Sequence, residues 1–144
     1  MCTYIGEYQM STITIIDNEH VKLYYHEDTK IIHHIYAPTI AGDFLKQELN
    51  AGVDLLKKYG ATKWLSDNRE LAEHNREDSD WINNDWLPRA IAAGWKYWAL
   101  VVPNSFMARV NMVEFTESFY NMGVRVMVTT HPEEAMEWLK RVDR

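Results

Sequence analysis

The sequence predicts a single α/β domain over residues 1–144, a mixed β-sheet with N-terminal antiparallel strands followed by βα repeats, its helices packed on the sheet. Three observations predict it. Residues 11–37 contain short alternating or β-branched runs divided by the polar separators "DNE" and "EDT", the mark of an antiparallel meander. After Pro38 the apolar period changes to that of a helix. Beyond residue 60, strand-like and helix-like segments alternate, which implies parallel neighbours joined by right-handed crossovers.

Each element has its own signal. Residues 1–10 show no clear period and read as an N-terminal arm. "STITIID" (11–17) alternates Ile13 and Ile15 with Thr12 and Thr14; "EHVKLYYH" (19–26) sets Val21, Leu23 and Tyr25 against Lys22 and Tyr24; "KIIHHIYA" (30–37) is β-branched and aromatic. Leu45, Leu49, Val53 and Leu56, widened by Phe44 and Leu55, stripe a helix over 41–59, which ends in lysines and Gly60. "ATKWLS" (61–66) is a short strand whose end releases a long polar run. Asp78 or Ser79 is placed to cap the next helix, where Ile82, Trp86 and Ala90 recur. Pro88 removes a donor from that helix and predicts a kink or restart, with termination at Gly94.

"KYWALVVP" (96–103) is apolar throughout, as in a strand covered on both faces. Asn104 or Ser105 caps a helix with Ala108, Met112, Phe115, Phe119 and Met122 on one face, stopped by Gly123. "VRVMVTT" (124–130) is a strand. "HPEEAMEWLKRV" (131–142) is a helix with Pro132 in its first turn and Ala135, Trp138, Leu139 and Val142 inward. No internal repeat or low-complexity tract interrupts the order.

Composition narrows the function. With 47% apolar and 25% charged residues the chain has the make-up of a soluble globule, long enough to close its own core. Its net charge is −6, with scattered Lys and Arg, so no nucleic acid is expected as a partner. No apolar run reaches the ~20 residues of a membrane span, and the start "MCTYIGEYQMST" lacks the basic and apolar stretches of a secretion signal. The lone Cys2 has no internal disulfide partner. A cytoplasmic location is the expectation.

Candidate chemistry concentrates in "WLSDNRELAEHNREDSDW" (64–81), which leaves the carboxyl end of a strand, where α/β sheets place ligands. Ser66, Asp67 and His74 supply the residue types of a hydrolytic triad, but no G-x-S-x-G elbow presents the serine. The six histidines include no H-x-x-x-H pair, and adjacent His33 and His34 point to opposite faces of a strand, so no metal is expected. If the hairpin turns at Asp28-Thr29, Tyr24 lies opposite His33. There is no Gly-rich phosphate loop and no cofactor motif. Arg69 and Arg89 remain as forks for a carboxylate or phosphate. "DSDWINNDWLPRAIAAGWKYW" (78–98) holds four of the six tryptophans around Pro88, with Trp81 placed at the margin of the buried face.

On "LLKKYGATKWLSDNRE", "WINNDWLPRAIAAGWKYWALVVP" and "GVRVMVTTHPEEAMEWL" the chain resembles the STAS/SpoIIAA-like superfamily, the anti-sigma-factor-antagonist fold, and in particular its uncharacterised bacterial branch. The resemblance implies a non-catalytic regulatory module that binds partner proteins, and in some members nucleotides or other small ligands. Many members carry a phosphorylatable residue in a D-x-S-G-like turn. Here Ser66 is followed by Asp67 and Ser79 by Asp80, so the motif is missing.

The sequence therefore leads to a non-enzymatic binding module. Its expected surface is Ser66, Asp67, Asn68, Arg69, Asn84, Asp85 and Arg89, facing an unknown protein partner. An alternative is a carrier of a small apolar or amphipathic ligand in a pocket of Met and aromatic residues; an enzyme acting through Asp67, Arg69 or His74 ranks last. The N-terminal arm and an exposed tryptophan would suit a homodimer.

Overall fold

A computed structural model describes residues 11–103, 117 and 119–144. Its six strands form one sheet in sequential order: β1 (Thr12–Asp17), β2 (Val21–His26), β3 (Ile31–Tyr36), β4 (Lys63–Asp67), β5 (Tyr97–Val101) and β6 (Arg125–Thr129). The first three pair antiparallel and the last four parallel. The mixed α/β architecture follows the sequence reading, and Tyr24 does sit opposite His33.

The helices divide between the two faces. On the first lies α1 (Gly42–Tyr59), which sets Leu45, Leu49, Val53 and Leu56 against Val21, Leu23, Tyr25, Ile32 and Trp64. Right-handed crossovers that always step in one direction place successive helices on the same face, so α2 (Arg76–Trp81) and α3 (Leu87–Ala92) join it through Ile82, Trp86, Leu87 and Ala90. On the second face α4 (Pro132–Arg141) buries Ala135 and Leu139 against Ile31, Leu65, Ala99 and Val101. Alternation along each strand thus assigns His34, Tyr36, Trp64, Ser66 and Trp98 to the first face, and His26, His33 and Asp67 to the second.

Some local expectations are corrected. The cap of α2 is Asn75, not Asp78 or Ser79: Asn75 Oδ1 accepts from the Asp78 backbone N–H at 2.8 Å and Asn75 Nδ2 donates to Asp78 Oδ2 at 3.1 Å. Asp78 Oδ2 also accepts from the Gly42 N–H, tying this loop to the start of α1. Between α2 and α3 the chain makes a π-turn, Ile82–Trp86, which absorbs the interruption before Pro88 in the first turn of α3; Gly94, at φ 112°, ends the run. Phe44 is 47% exposed and stacks on His20 instead of widening the apolar stripe. Met122 is also exposed, although Phe119 on the same predicted helix is buried. Asn104, Ser105, Ala108, Met112 and Phe115, like the arm 1–10, lie outside the described residues.

No helix among the described residues is long and apolar enough to cross a membrane.

Candidate functional site

Beneath the carboxyl ends of β3 and β4, on the first face, lies a half-enclosed pocket of about 30 Å³. Tryptophans 64, 86, 95 and 98 with Phe119 form its apolar wall; His34, Tyr36, Ser66, Asn68 and His74 form its polar one. The aromatic wall is built edge to face, with Trp95 central: its ring lies 5.4–5.7 Å from Trp86, Trp98, Trp64 and Phe119. The aromatic interior thus has a gap that can hold one or two water-sized groups. No methionine lines it among the described residues.

The strand period brings the polar wall together. His34 and Tyr36 are two apart on β3 and stack at 3.9 Å, while Ser66 and Asn68 are two apart at the end of β4. The Trp64 indole N–H donates to His34 Nδ1 at 3.0 Å. His34 Nε2 lies 3.2 Å from Asn68 Oδ1. Glu48, on the buried stripe of α1, reaches the same His34 Nδ1 with Oε1 at 2.9 Å; the two side chains are 0% and 3% exposed. Burial first, and then the Glu48 carboxyl beside it, hold the Tyr36 phenol well above its ordinary range. His74 caps the wall, edge-on to Tyr36 at 6.0 Å. Burial, reinforced by His34, depresses its imidazole to about 4 against the pull of Asp78 and Glu48, so it is neutral at pH 7.

A histidine against a carboxyl group in a buried hollow would suit proton transfer. At His34, Trp64 and Glu48 meet Nδ1 and Asn68 meets Nε2, so the ring ties together the aromatic, carboxyl and amide groups around it.

The residues singled out from sequence fall in three places. Ser66 and Asn68 line the pocket, each 3% exposed. Asp67 and Arg69 belong to the other face, where Arg69 Nε and Nη2 donate to the two Asp67 oxygens at 2.9 and 2.8 Å. Asn84, Asp85 and Arg89 sit outside on the π-turn and α3; Arg89 Nη2 bridges Asp85 and Asn50 of α1. Ser66 and Asp67 point to opposite faces of β4, which dismantles the hydrolytic set of Ser66, Asp67 and His74.

Sequence reasoning missed His34, Tyr36, Glu48, Trp64, Trp95 and Trp98 as site residues. One signal was there: Glu48 occupies a core position, since Leu45, Leu49, Gly52 and Val53 surround it on the buried stripe. A second histidine cluster lies on the other face, with His26 Nε2 and His33 Nδ1 3.1 Å apart and Thr12 beside them; no group of three or more ligands fit for a metal occurs among the described residues.

No protein-family model, curated protein or solved structure matches this chain.

Proposed function

We propose that this chain is a non-catalytic, STAS-like module that works by binding a small amphipathic molecule in the tryptophan-walled pocket. One observation carries the reading: a buried polar wall and a continuous aromatic wall face each other across a gap beneath the strand ends, where sheets of this kind place ligands. The mixed sheet in sequential strand order and the aromatic wall centred on Trp95 support it. Native mass spectrometry of the protein, gently purified from more than one expression host, is expected to show a bound adduct, and unlabelled extract is expected to quench its tryptophan emission. A clean apo mass together with unmoved emission would refute the pocket as a ligand site.

A second reading places a protein partner on the outer patch around Trp81. Trp81 is half-buried with Lys46 at 5.5 Å and Arg89 at 5.9 Å from its ring centre, a rigid aromatic flanked by cations such as interfaces use. Affinity capture with wild type and with Arg89→Ala tests it; the Arg69→Ala variant, altered on the other face, is the control. Partner loss confined to Arg89→Ala would favour this patch, and identical profiles would count against it.

A further inference from the structure

The sheet ends at β6, whose bonds to β5 are marked at both ends. The Arg125 N–H donates to the Lys96 carbonyl at 2.8 Å, and the Thr129 carbonyl accepts from the Val102 N–H at 2.9 Å. In a parallel ladder every second residue bonds the same neighbour. Arg125, Met127 and Thr129 therefore bond β5, and the backbone N–H and C=O of Val126 and Val128 point outward. No strand among the described residues pairs with them. Proteins usually blunt such an edge with a bulge, a proline or a lysine. At the opposite edge β1 has a bulge between Thr14 and Ile16. β6, "RVMVT", has none of the three, and Val128 is 43% exposed.

The flank of this edge has a shape and a charge. The buried residues of α4 pack on β3, β4 and β5, which leaves Met127 of β6 in the wall of an open groove of about 430 Å³. Met127 and Trp138 supply its apolar surface; Glu133, Glu134 and Glu137 line it together with Arg141. Glu134 accepts from the Thr129 hydroxyl, and Glu137 meets Lys140 at 3.3 Å in an exposed pair of small weight. A strand laid along β6 would send alternate side chains to the two faces of the sheet, one set beside Val126 and Val128 and the other into this groove. The geometry points to a docking site for an extended basic peptide segment of a partner, added to the sheet beside β6 by main-chain hydrogen bonds. Its Lys or Arg stems would lie on Met127 and Trp138, with their charged heads among the glutamates. A second copy of this chain fits poorly, since it carries the same glutamates and a net charge of −6. Residues 1–10 contain no Lys or Arg, so the chain's own start does not supply the charge either. The site is independent of the tryptophan pocket, which lies on the other face.

Fluorescein-labelled hexapeptides of alternating residues test this on the wild-type protein by anisotropy: a Lys-Val peptide, its Glu-Val counterpart, and Lys-Val peptides N-methylated at the lysines or at the valines. The Lys-Val peptide is expected to bind saturably and to shift the Val126 and Val128 amide signals in ¹H–¹⁵N spectra. The Glu-Val peptide is expected to bind about tenfold more weakly for want of charge complementarity. The N-methylated form that turns its methyl groups to β6 is expected to lose about tenfold as well, its ladder bonds being removed. Val128→Pro deletes an outward N–H without touching the bonds to β5, a change that edge strands tolerate, and is expected to abolish the amide shifts. No saturable binding of the Lys-Val peptide would overturn the site. Equal binding of the Glu-Val peptide would overturn the basic partner, and full binding by both N-methylated forms would overturn strand addition. Self-association in sedimentation runs, lost in Val128→Pro, would give the edge to a second copy instead. The peptide comparisons stand whether or not the variant folds.

Discussion

Single residues decide the shape of the pocket, and Gly52 shows how. It lies in the middle of α1, where alanine would ordinarily improve a helix by about 1 kcal/mol. Here a Cβ would stand 2.0 Å from the Trp64 ring, with two further ring atoms within 2.8 Å. Trp64 is 1% exposed and held by its N–H bond to His34, so its indole has no free end to swing aside. Gly52→Ala is therefore expected to destabilise the protein by about 3 kcal/mol, the upper range for overpacking, and to push Trp64 toward the gap. Urea denaturation followed by tryptophan emission measures both effects; an unchanged or raised midpoint would mean that the helix and sheet separate more easily than this packing implies. The pocket was hard to foresee for the same reason. A glycine in a helix and a glutamate on its apolar stripe are visible in sequence, but which tryptophan meets them depends on how α1 crosses the sheet.

At the scale of elements, what was legible came from periodicity and what was not came from local hydrogen-bond competition. The strands, α1 and α4 follow directly from spacing, and the break before Pro88 follows from a lost donor. The polar run after β4 suggested Asp78 or Ser79 as the cap and passed over Asn75, because composition does not say which polar residue the backbone N–H will meet. Structure does: with Asn75 as the cap, Asp78 falls three residues on, where its backbone N–H donates to Asn75 Oδ1 and its carboxylate accepts from Asn75 Nδ2, and its second role, at Gly42 N–H, joins a residue 36 positions away. The same loop carries Asn68 and His74 to the pocket, so its anchoring bears on binding. Asn75→Ala is expected to cost about 1 kcal/mol, as cap losses do. Asp78→Ala keeps the backbone N–H that Asn75 caps but takes the acceptor from Asn75 Nδ2 and strands the Gly42 N–H, for about 2 kcal/mol. Chemical denaturation gives the two numbers, and amide exchange at Gly42 discriminates between them: it should quicken in Asp78→Ala far more than in Asn75→Ala. Equal exchange in both variants would show that the bond from Asp78 does not hold the two elements together.

Across the whole molecule the sheet separates two histidine groups, His34 and His74 on one face and His26 and His33 on the other, and burial sets the response to acid. Alternation at His33-His34 predicted that one ring would face each way, but not how far each would be covered, because that depends on what α1, α4 and the loop lay over them. Burial, aided by the neighbouring His26 and His34, depresses His33 to about 3, and burial with His34 depresses His74 to about 4. Burial lowers His26 as well. An unfolded histidine takes its proton near 6.5. Between that value and about 4 the unfolded chain therefore binds protons at His33 and His74 that the native state refuses. Stability must then rise with pH through this window, be complete above about 6.5, and be lost as pH falls, at up to about 1.4 kcal/mol per pH unit for each ring. Lowering the pH from 7.5 to 5.5 should remove roughly 2–3 kcal/mol in urea melts, and His74→Gln, which keeps a polar group but cannot titrate, should about halve that loss. A stability flat across this interval, or one that increased toward acid, would mean that water reaches these rings and that neither face is closed over them.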